Sequence, residues 1–275
     1  GTVTVLIDAF KFEVTTYRFD GEYIDGRRPD NVTFSKKLTD DLERRDFTIN
    51  ALVMDENELV QDFHNGTLDL KNKTIRTIND PLKRFNEDSL RMLRAFRFVS
   101  KLGFDIEPNT LSAITNLKEL IHSVSIERIM VELDKIFKGK YRQKAIEYLV
   151  RSGLHEELFG LKNGLEFLKD ITEDISTVEA FIICFVKGEY NDVWRFSNNN
   201  RRLIEQVLNL QEATKDGLFN KFIVFSRGVE VCLITNKISR LLGYPDQEKL
   251  IKKIDSELIV KDVCDLQFKG QDICS

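Results

Sequence analysis

Three absences frame this chain of 275 residues. No apolar run approaches the length of a membrane span, so a membrane-embedded protein is excluded as a reading, and no signal peptide is expected. The four cysteines, Cys184, Cys232, Cys264 and Cys274, are widely scattered. They make neither a metal-ligand spacing nor a dense disulfide frame, and a reducing cytoplasm is the expected compartment. Positive charge is not in excess either: 41 Lys and Arg stand against 45 Asp and Glu, a net charge of −4. Any nucleic-acid binding must therefore rest on local basic patches. Candidates are Lys71 to Arg76, Lys135 to Arg142 and Arg201-Arg202, each of which equally suits a solvated face. The three histidines, His64, His122 and His155, are isolated and receive no catalytic role. No internal repeat or low-complexity tract is evident.

Charged residues at 31% and hydrophobic residues at 42% are ordinary for a globular chain, and the length allows more than one domain. Residues 1 to about 18 alternate apolar and polar, which predicts two strands joined near Asp8-Ala9. Residues 19 to 40 lack periodicity and contain Gly21, Gly26 and Pro29, as a mobile loop would. Thr48 to Met54 is an apolar run able to begin as a short helix or end as a strand. Short strands are expected at Leu59 to Phe63 and Thr74 to Ile78, around a turn at Asn65-Gly66. Pro81 suits a helix start. From there to about residue 260 the chain reads as amphipathic helices, broken at Lys101-Leu102-Gly103, Lys138-Gly139-Lys140, Ser152-Gly153 and Leu242-Gly243. Trp194, Phe196 and the leucines of 203 to 210 read as core. The predicted architecture is α+β: a small α/β head followed by an all-α remainder.

Two segments carry most of the chemistry: Arg44-Arg45-Asp46-Phe47-Thr48-Ile49-Asn50 and Glu87-Asp88-Ser89-Leu90-Arg91-Met92-Leu93-Arg94-Ala95-Phe96-Arg97. Asp88, Arg91 and Arg94 stand three residues apart. On a helix that spacing makes one connected polar flank, with Leu90, Leu93 and Phe96 on the opposite flank. Such a pair is most often a surface ion pair of little value. The excess of arginine (Arg84, Arg91, Arg94 and Arg97, balanced nearby only by Glu87 and Asp88) points instead to an anionic ligand, commonly phosphate.

Together the two segments resemble the class II tRNA nucleotidyltransferases, the CCA-adding enzymes of the polymerase-beta superfamily, and the related bacterial poly(A) polymerases. Tyr17-Arg18-Phe19-Asp20 through Arg27-Arg28-Pro29 looks like that family's flexible loop, thought to help switch from adding C to adding A. Asp62, Gly66, Asp69-Leu70 and Ile75-Arg76 look like its connecting motif. Ser125-Ile126-Glu127-Arg128 with Glu132-Leu133 looks like a later neck motif, and Asp265-Leu266 with Gly270-Gln271-Asp272 resembles the start of the tail. The family's Gly-Gly-x-x-Arg-Asp turn and Asp-x-Asp pair do not occur here, and both ends of the family pattern are expected to lie outside the chain. The resemblance implies a partial mixed-sheet head over 1–80, a neck over 81–145, a helical tRNA-binding body over 146–245 and the start of a tail over 246–275.

It also implies an activity: template-independent addition of CCA to the 3′ end of tRNA from CTP and ATP. Poly(A) polymerase activity, addition of C or A alone, and a catalytically incomplete RNA- or nucleotide-binding fragment share the same motifs. Such transfers use two divalent cations, expected to be Mg²⁺. Glu13 matches the family's third catalytic carboxylate and is the implied catalytic and metal-binding residue of this chain. By alternation it faces away from Phe12 and Val14. Arg45 is expected on the triphosphate, with Asp46 and Asn50 on the ribose 2′-hydroxyl. Asp88 and Arg91 are expected to read the base, with Arg94 and Arg97 supporting the base or the phosphates. Cytosine and adenine both show an exocyclic amine beside a bare ring nitrogen, which a carboxylate and a guanidinium match. Uracil and guanine present the reverse pattern.

Overall fold

A computed structural model describes residues 2–20, 32–214 and 217–259. The first two strands form as expected. Strand β1 (Thr2–Ile7) and strand β2 (Phe10–Thr15) make an antiparallel hairpin. Asp8 takes the left-handed conformation (φ 53°) that a two-residue hairpin turn needs, and Asp tolerates it better than most residues. The register, Thr4 opposite Glu13 and Val5 opposite Phe12, separates the two faces. Val3, Val5, Ile7, Phe10, Phe12 and Val14 share one face and Glu13 lies on the other. All of these residues are exposed.

The stretch read as one loop is structured at both ends. Strand β3 (Arg18–Asp20) pairs antiparallel with strand β4 (Val32–Phe34), and helix α1 (Leu38–Glu43) follows. Gly21, Gly26, Arg27, Arg28 and Pro29 lie outside the described residues. The apolar run after Arg45 uses both of its expected conformations: a 3-10 turn (Thr48–Asn50), then strand β5 (Leu52–Met54), antiparallel to strand β6 (Val60–Asp62). Where a plain turn was expected, Asn65-Gly66 opens helix α2 (Gly66–Lys71). The Asp62 carboxylate drives this by accepting from the backbone N–H of Gly66 and of Thr67, both at 2.9 Å.

Strand β7 (Thr74–Ile75) precedes helix α3 (Pro81–Glu87), which has Pro81 in its first turn and the Asp80 carboxylate accepting from Leu82 N at 3.1 Å. Helix α4 (Leu90–Leu102) ends at Gly103, whose φ of 73° suits only a residue without a Cβ penalty. The remainder is not wholly helical. Strand β8 (Asp105–Ile106) pairs in parallel with β7 and joins the start of the helical region to the head. The described residues thus hold four separate two-stranded ladders.

Nine helices complete the described residues: α5 (Pro108–Leu117), α6 (Ile126–Phe137), α7 (Arg142–Arg151), α8 (Lys162–Leu168), α9 (Thr177–Lys187), α10 (Asn198–Ala213), α11 (Lys221–Arg227), α12 (Val229–Leu241) and α13 (Glu248–Glu257). One continuous apolar core runs from Phe47 to Ile254. A small second cluster of Leu42, Ala51 and Ile78 sits in the head. Leu90, Leu93 and Phe96 are buried as their spacing implies, and so is Trp194, whose indole N–H donates to Phe159 O at 3.0 Å. Phe181 meets Phe137, Trp194 and Phe196 at ring separations of 5.6, 5.3 and 5.0 Å. Cys184 and Cys232 are free and buried. Burial raises both thiols, that of Cys232 to about 11. Cys264, Cys274 and the residues resembling a tail motif, Asp265-Leu266 and Gly270-Gln271-Asp272, lie outside the described residues. Among the described residues no helix is long and apolar enough to cross a membrane.

A close helix approach in this core has a simple test. A Cβ on Gly164 would fall 2.1 Å from Cys184 Cα, backbone against side chain, with no flexible group able to yield. Gly164→Ala is expected to separate α8 from α9 and lower stability by about 1–3 kcal/mol. A urea midpoint equal to that of the wild type would contradict this packing.

Candidate functional site

The site is built where the Arg44–Asn50 segment meets the start of α4. An isolated antiparallel bridge holds that segment: Phe47 pairs with Thr77, Thr48 N donates to Arg76 O at 3.0 Å, and Ile78 N donates to Asp46 O at 3.1 Å. The Phe47 ring is fully buried and stands edge-on to Phe98 of α4 at 5.5 Å. The connecting residues lock the arrangement from behind. Asp69 accepts from Thr48 Oγ1 at 2.7 Å and pairs with Arg76 at 3.2 Å. Gly66 lies so close to Thr48 that a Cβ there would sit 2.3 Å from its carbonyl oxygen.

Each arginine of the site has a carboxylate or carbonyl partner. Asp41, itself buried, takes Arg44 at 2.6 Å and Arg45 at 3.2 Å. Burial alone would raise the Asp41 carboxyl, but the hydrogen bonds and charges of the two guanidiniums outweigh it and hold the group below its ordinary value. Arg45 also donates to Asn50 O at 2.8 Å. Asp46 accepts from Phe47 N at 3.0 Å and Asn50 Nδ2 at 2.9 Å with one oxygen, and from Arg94 Nε at 2.6 Å with the other. Glu87 is shared by Arg84 at 2.8 Å and Arg91 at 2.7 Å. Arg91 donates further to Arg84 O and to Arg44 O, both at 3.0 Å. Arg97 pairs with Glu132 at 3.2 Å and lies 4.5 Å from the Phe98 ring centroid.

Asp88 departs from expectation. It does not share a helix flank with Arg91. It ends α3 in an extended conformation (φ −150°, ψ 100°), and α4 starts two residues later. Its carboxylate pairs with Arg128 of α6, one Nη2 at 3.2 and 3.0 Å from the two oxygens, and accepts from Leu90 N at 3.2 Å. The neighbouring Ser89 hydroxyl meets that of Ser123 at 3.1 Å. Arg128 is the functional candidate that helical spacing missed, because it lies 40 residues further along the chain. The only sequence signal was its place in the later neck motif.

Of the predicted site residues, the structure brings together Arg45, Asp46, Asn50, Arg91 and Arg94 in one bonded network, with Asp88 adjoining and Arg97 one turn further along α4. Glu13 stands apart on the exposed hairpin. Magnesium needs several oxygen ligands, and among the described residues no group of three metal-ligating side chains forms. Glu13 supplies one carboxylate, so these residues do not by themselves fit the expected ion. Two of the three histidines have carboxylate neighbours: His122 and His155 contact Glu157 and Glu166 at 2.9 and 3.1 Å.

A head of short ladders joined to a helical neck, with arginine–carboxylate pairs across the join, is the framework of a nucleotidyltransferase. The family model described as "Poly A polymerase head domain" matches residues 1–76, and that described as "Probable RNA and SrmB- binding site of polymerase A" matches residues 103–163. A CCA-adding enzyme of Streptococcus suis is 32% identical over 98% of this chain and 70% of its own length. One of Bacillus licheniformis is 35% identical over 99% and 72%. The crystal structure of the Bacillus stearothermophilus CCA-adding enzyme in complex with CTP superposes with a TM-score of 0.82 at 29% identity, covering 99% of this chain and 71% of that one. The chain belongs to the CCA-adding enzyme family.

The buried Asp41 makes acid stability a test of the network. A carboxylate with a lowered folded value contributes stability above its unfolded value, near 3.8, and loses it as pH falls further. Asp41→Asn is expected to be less stable at neutral pH and to show a flatter loss of stability below about pH 4. Parallel acid-unfolding curves for variant and wild type would show that Arg44 and Arg45 do not act on Asp41.

Proposed function

We propose that this chain adds CCA to the 3′ end of tRNA from CTP and ATP without a nucleic-acid template, and that Asp88 and Arg91 choose the base. The observation that carries the reading is the way these two side chains are held. Arg128 orients the Asp88 carboxylate through both of its oxygens, presenting it as a hydrogen-bond acceptor. Arg91 uses three of its five N–H groups on Glu87, Arg84 O and Arg44 O. Two N–H groups remain for a ligand. A held acceptor and held donors fit the amine and bare ring nitrogen of cytosine and adenine. Against uracil or guanine, donor would face donor and acceptor would face acceptor, leaving half-buried groups unpaired.

Arg94 lies beside this pair and takes the role of bracing Asp46. Asp46 and Asn50, bonded to each other through Asn50 Nδ2, leave the side-chain Asn50 Oδ1 as the group best suited to a ribose hydroxyl. Arg45 is about a third exposed and can turn toward triphosphate oxygens. Glu13 is the proposed catalytic carboxylate and one ligand of the Mg²⁺ that this class of transfer uses. A cytoplasmic setting, with tRNA, CTP and ATP as partners, belongs to the same proposal.

Sequencing of RNA 3′ ends tests it. A tRNA lacking CCA, incubated with the protein, Mg²⁺ and all four nucleoside triphosphates, should gain C, C and A. A run of A alone would make the chain a poly(A) polymerase. With a chain that turns over, Glu13→Gln should cut the rate at least about a hundredfold; an unaltered rate removes Glu13 from the chemistry. Arg128→Ala should bring UTP binding to within about tenfold of CTP binding. If CTP is still preferred as strongly as in the wild type, Asp88 does not depend on Arg128 for its orientation.

A further inference from the structure

Two consecutive residues at the break between α3 and α4 are gripped from a single corner of the fold. That corner is the 3-10 turn Lys118–Ser123, which runs on into α6. Buried Ile121 and Val124 anchor it in the core. From the start of α6, Arg128 takes the Asp88 carboxylate. From the turn, Ser123 meets the hydroxyl of Ser89 at 3.1 Å, and Ser89 is itself buried.

The surroundings assign the hydroxyl protons. Ser123 Oγ donates to Leu120 O at 2.7 Å. A serine has one proton to give, so in the contact between the two serines it is Ser89 that donates. The bonds run one way, from Ser89 to Ser123 and on to the carbonyl of the turn. Ser89 also stands just before α4, where a serine ordinarily accepts from an N–H of the first turn. It makes no such bond here. Asp88 serves that turn instead: its backbone oxygen accepts from Arg91 N at 3.0 Å and its carboxylate from Leu90 N at 3.2 Å. The Ser89 hydroxyl is left for the corner.

The two grips differ in kind. Arg128 is partly exposed and acts from the end of a long side chain, so it steers the direction of the carboxylate. The serines are short, and a bond between them leaves the backbone at 88 and 89 little room to move. We propose that Ser123 is a positioning residue for base selection. Acting through Ser89, it sets the backbone from which the Asp88 carboxylate meets the base, and so sharpens the preference for CTP over UTP. The proposal rests on Asp88 and Arg91 reading the base.

Competition of UTP against labelled CTP for the full chain tests it, with urea unfolding measured in parallel. Ser123→Ala should lower the preference for CTP about three- to tenfold, the worth of one hydrogen bond. Ser123→Thr keeps the hydroxyl at an exposed position and should restore the preference. Ser123→Ala also leaves a buried hydroxyl unpaired and should lower the urea midpoint. Ser89→Ala/Ser123→Ala removes both hydroxyls and should recover most of that midpoint, while its preference stays relaxed. His122→Ala, in the same turn, should discriminate as the wild type does. Full preference in Ser123→Ala, or preference that returns with the midpoint in the double variant, would overturn the positioning role and leave base reading by Asp88 standing. An equal loss in His122→Ala would overturn it too, by tracing the effect to a loosened turn. A wild type that binds CTP and UTP alike, or neither, would sink the base reading and this proposal with it.

Discussion

The contact on which the site depends is the Arg91 guanidinium. It is buried, and it donates at once to Glu87, to the carbonyl of Arg84 and to the carbonyl of Arg44. The first two partners belong to the helical neck and the third to the head. One rigid, permanently charged fork therefore fixes the angle at which α3, α4 and the Arg44–Asn50 segment meet. Lysine could not replace it, because its ammonium has no planar fork with which to hold three acceptors at set directions. The Arg94–Asp46 pair repeats the connection one turn along α4, and Phe47 against Phe98 adds apolar contact beneath both.

Buried ion pairs are weak evidence for stability, since desolvation offsets most of the attraction. Their value here lies in position. Asp41, Asp46, Glu87 and Glu132 each hold one or two guanidiniums, so much of the cluster's positive charge is offset while a surplus of arginine remains. A nucleotide entering beside it would meet donors and acceptors already set, with little reorganisation needed. The same logic explains why an arginine-rich segment carries so little net positive charge. The excess seen in the local sequence is offset by Glu87 and by carboxylates brought in from the Asp46 turn and from α6.

That balance marks the limit of reading along the chain. Some helix starts and stops were legible because Pro81, Gly103, Gly153 and Gly243 act on their own backbone. The two strands of the hairpin and the faces of their residues were legible because alternation has a fixed period of two. The break at Asp88 was not legible: a spacing of three suits a continuous helix, and nothing in the residues 88 to 94 shows that the chain turns extended first. Its cause is tertiary, an ion pair to Arg128 and a hydroxyl contact to Ser123. Strand β8 was missed for the same reason, since two residues have no periodicity and pair only because β7 lies beside them. Glu13 was placed correctly on the polar face of its hairpin, but what surrounds that face was beyond local pattern.

The separation of Asp88 from the helix of Arg91 changes what selectivity can mean here. Had both stood on one helix face, their spacing would be fixed by helix geometry alone. They stand instead on either side of a helix break, one steered by α6 and the other by the head and Glu87. The distance between acceptor and donors is then a property of how three elements dock. Arg91 cannot be altered without disturbing that docking, because it forms part of it. Arg128 bonds Asp88 and not Arg91, so the two halves of the proposed base reader are separable in the protein. If the proposed reading of the base holds, its specificity is sensitive to shifts of head against neck, and a small rotation would change which base edge fits without replacing a single contacting residue.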